Sequence, residues 1–325
     1  MRAMRAFIVG FALLILSACT TPQIQELGLA INEPFLDGKT AVMADGARLP
    51  MHVWHAKTPK AVVVGVHGMN GYAEDFALPG PWFAKRGISF YAYDQRSFGR
   101  TEKAKRGIWP GGEAMVSDLK SVYGLVQQKH KGLPVYVIGI SMGGAVTMKA
   151  LDNGFAPAGA VLVAPAVWGW RAMNPFLKST LWITAHVAPS YSPTGESLDI
   201  WPSDNIEVLR AIGKDPLYQS KTRSDTIYGL VTLMDEAYDS AERLKSPVLY
   251  LYGKHDQIVP ADPTHNVIGR IRAPKRVAVY TNGWHMLLRD KQREVVWTDI
   301  AAWIADKRAA LPSGEEQKVK KVAQK

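Results

Sequence analysis

The stretch PVYVIGISMGGAVTMKALDNG, residues 134–154, decides the fold because a strand and a helix meet in it without a linker. Residues 134–140 form a continuous apolar, β-rich run, which is typical of a strand buried on both faces. The residues after Ser141 are those of a plausible helix. A serine flanked by Gly139 and Gly143 therefore stands on a sharp turn, where side chains at the glycine positions would clash. Ser141 is the candidate nucleophile.

Other apolar, β-rich runs recur along the chain, at residues 61–68, 88–94, 159–165, 246–253 and 275–281. Helical stretches lie between them, for example residues 111–132, where apolar residues recur at helical spacing. Strands that alternate with helices form a parallel sheet covered on both faces. In residues 41–56, two short runs in which apolar and polar residues alternate lie on either side of Asp45-Gly46. They indicate a β-hairpin at the start of the fold. The sequence predicts an α/β fold with a mostly parallel central sheet and helices on both faces.

The alternation of strands and helices is interrupted between two predicted core segments, residues 40–165 and 246–308. Residues 166–245 contain no clear buried strand, and about 80 residues are too many for an ordinary connection. We interpret them as an inserted, mostly helical cap, and we expect some of this segment to cover a site. The insertion is rich in tryptophan, with Trp168, Trp170, Trp182 and Trp201.

The N-terminus resembles an export signal. Arg2 and Arg5 precede an apolar run that is too short for a comfortable membrane span. The run ends in LSAC, which resembles the lipobox of bacterial lipoproteins. That resemblance implies that residues 1–18 are removed and that Cys19, the single cysteine of the chain, is lipidated. Residues 19–39 are interpreted as a tether.

The predicted location is the cell envelope. Thr20 rather than aspartate after Cys19 resembles the pattern sent to the periplasmic side of the outer membrane in a Gram-negative host. The alternative is an ordinary signal peptide that happens to contain a cysteine. With one cysteine, no internal disulfide can form.

The formal net charge of +10 would favour binding of an anionic partner, either nucleic acid or lipid. Basic residues are scattered, however, and gather only in residues 309–325, which are interpreted as a disordered basic tail. The sequence shows no zinc pattern or basic recognition helix, so we predict no nucleic-acid partner. A metal is not expected either, because His52 and His55 of one predicted strand point to opposite faces and no third ligand is near.

A serine hydroxyl needs a histidine to take its proton and an acid to orient that histidine. On this fold the expected order is serine, acid, histidine. Asp256 follows one late strand and His285 follows the next. Both residues would lie at the carboxyl edge of the sheet, where the sites of open α/β folds form.

Two other residues compete for these roles. His255 would have to fold back on Asp256, its direct neighbour, to act as the base, which favours His285. Asp235 could replace Asp256 as the acid, but it lies in a predicted helix.

The reaction also needs donors for the developing negative charge. His67 and Gly68 end the predicted strand 61–68, and the backbone N–H of the next residue, Met69, can join that of Met142 as an oxyanion hole. His67 is then structural and shapes the loop.

Five motifs, in this order, resemble those of the monoacylglycerol lipases and lysophospholipases, an α/β-hydrolase group also classified as serine aminopeptidase S33. They are HGMNG (67–71), YDQRSFGRT (93–101), GISMGG (139–144), YGKHDQIVP (252–260) and GWH (283–285). The resemblance covers roughly residues 40–308 and extends to KDPLYQSKTR (214–223) in the cap. It implies an α/β-hydrolase fold, a triad of Ser141, Asp256 and His285, a cap over an acyl pocket, and no cofactor.

The implied activity is cleavage of the carboxylic ester of a single-chain lipid, beside the membrane that holds Cys19. Two departures bear on the substrate: HGMNG lacks a glutamate common in the eukaryotic lipases, and Ile140 stands where they often have histidine. Aminopeptidase activity, for which Glu196, Asp199 or Asp215 could bind an amine, stays open. So do acyl transfer on the same triad and a catalytically silent envelope-binding lipoprotein.

Overall fold

A nine-stranded sheet forms the centre of the protein in the computed structural model, which describes residues 21–25, 27–193 and 199–317. Its order is β1-β2-β3-β5-β4-β6-β7-β8-β9. Strands β1 to β3 and the β3–β5 pair are antiparallel, and the other pairs are parallel. The strands are β1 (Phe35–Asp37), β2 (Thr40–Val42), β3 (Arg48–Trp54), β4 (Ala61–Val66), β5 (Ile88–Tyr93), β6 (Val135–Ile140), β7 (Gly159–Val163), β8 (Val248–Gly253) and β9 (Lys275–Tyr280).

The α-helices of the same described ranges lie mostly between the parallel strands. They are α1 (Pro79–Ala84), α2 (Gly112–Lys129), α3 (Met142–Asp152), α4 (Pro175–Val187), α5 (Ile206–Lys214), α6 (Ser224–Ser240), α7 (Ala261–Arg270) and α8 (Arg293–Ala305). Single 3₁₀ turns occur at Ala73–Phe76, Lys103–Lys105, Trp170–Ala172 and Ala241–Arg243.

The predicted fold class is confirmed. Every predicted buried run contains a strand, and β4 shows why such runs are continuous: all six of its residues are buried. Val62 and Val64 face a core layer that includes Met115 of α2, while Val63 faces the opposite layer with Trp303 of α8. Successive side chains of a strand point to opposite faces of the sheet. Because helices cover both faces, every position of the strand is buried and is occupied by an apolar residue or glycine.

The regular secondary structure between β7 and β8 is helical in the part that the structure describes, and irregular stretches join the helices. Helices α4, α5 and α6 occupy this segment, and α6 packs against α3, where Lys149 is paired with Glu236. The segment predicted as a cap thus contains three α-helices, and it remains a prediction that it covers a site. None of the described helices combines the length and hydropathy that a transmembrane span requires.

The segment predicted as a tether, residues 19–39, differs from that prediction where it is described. Phe35–Asp37 form β1 and pair with β2. The side-chain amide of Gln25 donates to the carbonyl oxygens of Lys105 and Ile108 at 3.0 and 2.8 Å. Hydrogen bonds of the backbone and of a side-chain amide attach this segment to the protein. Because such bonds do not require apolar residues, the sequence of the segment did not indicate the attachment.

The prediction of a disordered tail over residues 309–325 is wrong for residues 309–317. Leu311 is buried, and both the backbone N–H and the hydroxyl of Ser313 donate to the buried carboxylate of Asp299. Glu316 pairs with Arg276 of β9. Polar contacts with partners distant in sequence hold the segment, so composition did not reveal it. Residues 318–325 lie outside the described part of the chain.

A chain that ends at Asp306 should therefore be less stable. We expect the free energy of unfolding to fall by about 4 kcal/mol, because the burial of Leu311 and the two hydrogen bonds from Ser313 to Asp299 are lost. Urea denaturation measures this change. A chain that ends at Gln317 keeps all of these contacts and is the matched control, and equal stability of the two truncated chains would contradict the assignment.

Candidate active site

Ser141 occupies a strained turn between β6 and α3. Its φ and ψ angles are 50° and −115°, a conformation that costs an L-residue about 1–3 kcal/mol. Hydrogen bonds on both sides hold it there. The Ser141 N–H donates to the carbonyl of Val163 at 2.9 Å, and the Ala166 N–H donates to the carbonyl of Ser141 at 2.9 Å. The end of β7 therefore fixes the turn.

The glycines beside Ser141 are required by crowding. A Cβ on Gly139 would lie 2.4 Å from the carbonyl oxygen of Gly143, and a Cβ on Gly143 would lie 2.2 Å from that of Val66. Both separations are shorter than any side chain tolerates, as expected from the sequence. Gly68 differs, because a Cβ there would be 3.5 Å from the Cβ of Ser141, an ordinary contact.

The loop after β4, residues 67–76, is called the β4 loop, and it passes next to Ser141. Gly68 is the point of contact, and Met69 follows it directly. Met142 is buried and is the first residue of α3, so its N–H has no acceptor within the helix. The two residues predicted to supply the oxyanion hole thus belong to segments that meet at Ser141.

His67 is fully buried and has a structural role. Its Nδ1 donates to the carbonyl of Gly68 at 2.7 Å, and its Nε2 accepts the backbone N–H of Gln95 at 2.9 Å. The side-chain amide of Gln95 donates in turn to the carbonyl of His67 at 2.8 Å. Burial lowers the pKa of His67, so the ring is neutral and its hydrogen bonds shape the β4 loop.

The structure brings Asp256 and His285 together. Asp256 Oδ2 lies 2.8 Å from His285 Nδ1, and the two side chains are 0% and 10% exposed. The other carboxylate oxygen of Asp256 accepts the backbone N–H groups of Ile258 and Val259 at 2.8 and 2.9 Å. The carboxylate is therefore fixed, and it orients the imidazole so that Nε2 is free for proton transfer.

The competing residues are engaged elsewhere. The ring of His255 stacks on that of Trp284, with centroids 5.4 Å apart. Asp235 accepts a hydrogen bond from the Arg171 Nε at 3.1 Å, within the segment predicted as a cap. The carboxylate that contacts His285 is therefore that of Asp256.

The other polar residues singled out in the sequence also have protein partners. Asp215 accepts the hydroxyl of Tyr72 at 2.6 Å, and Asp199 accepts the indole N–H of Trp201 at 2.8 Å. Glu196 and Cys19 lie outside the described residues. His52 contacts Arg100 and Glu74, and the ring of His55 packs edge-on against Tyr91. Among the described residues, no three potential metal ligands are grouped together.

Asp290 supports the loop that carries His285, and sequence reasoning missed it. Residues 281–292, between β9 and α8, are called the histidine loop. The buried Asp290 carboxylate accepts the Trp284 N–H at 2.8 Å and the Ser203 hydroxyl at 2.6 Å. Burial raises its pKa to about 6. Ser203 lies between β7 and β8, so this carboxylate ties the histidine loop to the segment predicted as a cap.

A second buried group joins the same parts of the protein, and it too was missed. Arg289 of the histidine loop lies 3.0 Å from Asp75 of the β4 loop. Tyr218, from the KDPLYQSKTR motif, donates to the same oxygen of Asp75 at 2.9 Å. Burial raises the pKa of Tyr218, so its hydroxyl keeps its proton. The motif shared with the resembled family thus contacts both loops.

Residues 57–292 match the family model described as Serine aminopeptidase, S33 (Hydrolase_4). The chain belongs to this family. The match spans β4 to the end of the histidine loop and includes Ser141, Asp256 and His285.

Several known lipases are similar to this chain over most of their length. A monoacylglycerol lipase of Mycolicibacterium smegmatis is 27% identical over 80% of this chain and 93% of its own. A monoglyceride lipase of Mus musculus is 24% identical over 87% of this chain and 95% of its own length. The crystal structure of a soluble variant of monoglyceride lipase from Saccharomyces cerevisiae, in complex with a substrate analog, has a TM-score of 0.70 at 19% identity, covering 89% of this chain and 100% of that one. The structural likeness supports the fold.

The contact between His285 and Asp256 yields a first prediction for this site. Asp256→Asn should lower kcat for ester hydrolysis by a factor of about 10,000, because the amide cannot stabilise the protonated imidazole in the same orientation. Its Oδ1 can still accept the two backbone N–H groups, so the fold should persist. Steady-state kinetics and circular dichroism measure the two effects. Asp235→Asn is the matched control, and equal kcat values for the two variants would contradict the assignment.

The raised pKa of Asp290 predicts a pH-dependent stability. Its ordinary pKa of 3.8 applies to the unfolded chain, so folding favours the protonated form, and that contribution is lost as pH rises through about 6. The stability of the wild type relative to Asp290→Asn should fall by up to about 3 kcal/mol from below pH 4 to neutral pH. Urea denaturation across this range measures it. A difference that does not change with pH would show that Asp290 has no raised pKa.

Proposed function

We propose that this enzyme, a monoacylglycerol lipase-like carboxylic ester hydrolase, cleaves the ester of a single-chain lipid such as a monoacylglycerol or a lysophospholipid. The observation that carries the proposal is the 2.8 Å contact between His285 and Asp256, at the sheet edge where the strained turn presents Ser141. Along the chain, serine, acid and histidine follow one another in the order that this fold uses.

In the proposed reaction, the Ser141 hydroxyl attacks the acyl carbonyl carbon while Nε2 of His285 takes its proton. The imidazolium, stabilised by Asp256, then gives that proton to the leaving alcohol, and an acyl-enzyme forms. Water attacks the acyl-enzyme with the same histidine as base, and the fatty acid is released. The strained backbone conformation of Ser141 presents its hydroxyl at the top of the turn before substrate binds.

The negative charge of each tetrahedral intermediate would be bound by the backbone N–H groups of Met69 and Met142. The N-terminal end of α3 supports this role, because its dipole favours an anion. Each such donor is typically worth about 3 kcal/mol of the barrier. The β4 loop holds its shape through His67 and through the contacts of Asp75, so the donors need no rearrangement when the charge develops.

The similarity to monoacylglycerol and monoglyceride lipases supports the choice of a lipid ester. The rest of the proposal concerns location. We propose that Cys19 is lipidated after removal of residues 1–18 and that it attaches the enzyme to the cell envelope, on the periplasmic side of the outer membrane in a Gram-negative host. An enzyme held at a membrane stands beside a lipid substrate.

The test of this proposal is the release of fatty acid by residues 20–325. We expect release from a long-chain monoacylglycerol or lysophospholipid, with a lower rate on a short ester, and loss of both activities in Ser141→Ala. The substitution removes a single hydroxyl, so both proteins should unfold at the same temperature.

Two results would contradict the proposal. Turnover of aminoacyl amides without turnover of esters would establish an aminopeptidase instead. Failure of a fluorophosphonate to label Ser141, with no ester cleaved, would establish a silent site.

A further inference from the structure

Asn70 directly follows Met69, the proposed oxyanion donor, and lies in a tight turn of the β4 loop. The Gly71 N–H donates to the carbonyl of Gly68 at 3.3 Å and closes this turn. Asn70 is the third residue of the turn, and its φ of 62° is in the left-handed region that one class of β-turn requires at that position. Asparagine adopts this region more readily than most residues. The turn therefore fixes the backbone that follows Met69.

The segment between β7 and β8 holds Asn70 through both its backbone and its side chain. The Gln219 N–H donates to the Asn70 carbonyl at 3.0 Å, and the side-chain amide of Asn70 donates to the hydroxyl of Thr222 at 2.7 Å. Gln219 is itself fixed to the core, because its side-chain amide donates to the carbonyl of Ser97 at 2.6 Å. Both Gln219 and Thr222 belong to the KDPLYQSKTR motif. The motif therefore contacts the residue next to the proposed donor.

Stability does not explain the side chain of Asn70. Its Oδ1 is buried and has no hydrogen-bond partner in the part of the chain that the structure describes. A buried amide oxygen without a partner costs at least as much free energy as one typical hydrogen bond contributes. Glycine would form the same turn without the strain and without the unpaired oxygen. A side chain that does not stabilise the fold and lies beside the reacting atoms is a candidate for a role in the reaction.

We propose that Asn70 is a positioning residue for ester hydrolysis, and that its contact with Thr222 fixes the turn that orients the Met69 N–H toward the oxyanion. The inference rests on the oxyanion role proposed for Met69. It goes further, because it makes the orientation of that donor depend on the segment between β7 and β8. Gly68 lies against Ser141, so a small rotation of the turn moves the donor relative to the nucleophile. Loss of the contact should therefore weaken binding of the transition state and leave binding of the substrate unchanged.

The contact can be removed from either side. Asn70→Gly removes the amide and retains the turn, since glycine adopts a positive φ without strain. Thr222→Val removes the hydroxyl and retains the branched shape of the side chain, whereas Thr222→Ser retains the hydroxyl. Thr232→Val is the matched control. The Thr232 hydroxyl, in α6 of the same segment, accepts the indole N–H of Trp170 at 3.1 Å, and neither residue belongs to the β4 loop or the histidine loop.

Each protein is measured on a soluble short ester, p-nitrophenyl butyrate, and with a trifluoromethyl ketone, whose adduct with Ser141 carries an oxyanion. We expect Asn70→Gly and Thr222→Val each to lower kcat and kcat/KM by about tenfold, with KM changed by less than about twofold. The affinity for the ketone should fall by a similar factor, because it resembles the transition state. Thr222→Ser and Thr232→Val should have kcat values close to that of the wild type.

The double variant Asn70→Gly/Thr222→Val tests whether the two residues act together. If the amide acts through this hydroxyl, the double variant should be no slower than the slower single variant. Effects that multiply to a loss of about a hundredfold would show that the residues act independently and would overturn the proposed link.

Urea denaturation separates positioning from folding. Neither Asn70→Gly nor Thr222→Val should lower the urea midpoint more than Thr232→Val does, and a loss of activity matched by a loss of stability would contradict positioning. Unchanged kcat in both variants, with a wild type active on the short ester, would overturn this inference and leave the hydrolase function standing. A rise in KM alone would assign Asn70 to substrate binding instead. A wild type that cleaves no ester and is not labelled by a fluorophosphonate would overturn the proposed function, and this inference with it.

Discussion

The close approach of α3 to the end of β4 is the constraint on which the site depends. The carbonyl of Val66 occupies the space that a side chain on Gly143 would need, so the helix can start beside the strand only with glycine there. Two residues before Gly143, the backbone at Ser141 has a positive φ. The end of β7 then holds it through two backbone hydrogen bonds. Sheet packing therefore sustains a strained conformation that isolated residues would not adopt.

The same sheet edge determines where the other groups meet. Parallel strands end on one side, and β8 and β9 are neighbours, so the loops that carry Asp256 and His285 lie next to each other. Two buried polar contacts then stabilise the histidine loop. Asp290 binds its backbone, and Arg289 joins it to the β4 loop through Asp75. A buried carboxylate or guanidinium without a partner would destabilise the folded protein. The contacts of Asp290 and Arg289 therefore hold the loops in one relative position.

The segment between β7 and β8 is part of this arrangement. Tyr218 shares the Asp75 carboxylate with Arg289, and Ser203 shares that of Asp290 with the backbone of the histidine loop. The N-terminal segment adds a further connection, because Gln23 binds Asp225 at the start of α6 while Gln25 binds the core. Polar side chains thus join this segment to both loops and to the N-terminal segment.

The sequence by itself determined the features that repeat or that belong to one short stretch. Apolar runs determined the parallel sheet, since a strand covered on both faces needs apolar residues throughout, and the glycines around Ser141 determined the turn. It also indicated Asp256 and His285, because strand ends converge at one edge. Tertiary structure alone decided that Asp290, Asp75 and Arg289 support the site and that residues 309–317 pack on the protein. Each of these features depends on a polar partner far away in the chain. Such pairs produce neither a periodic pattern nor a distinctive composition in the sequence, so they cannot be detected there.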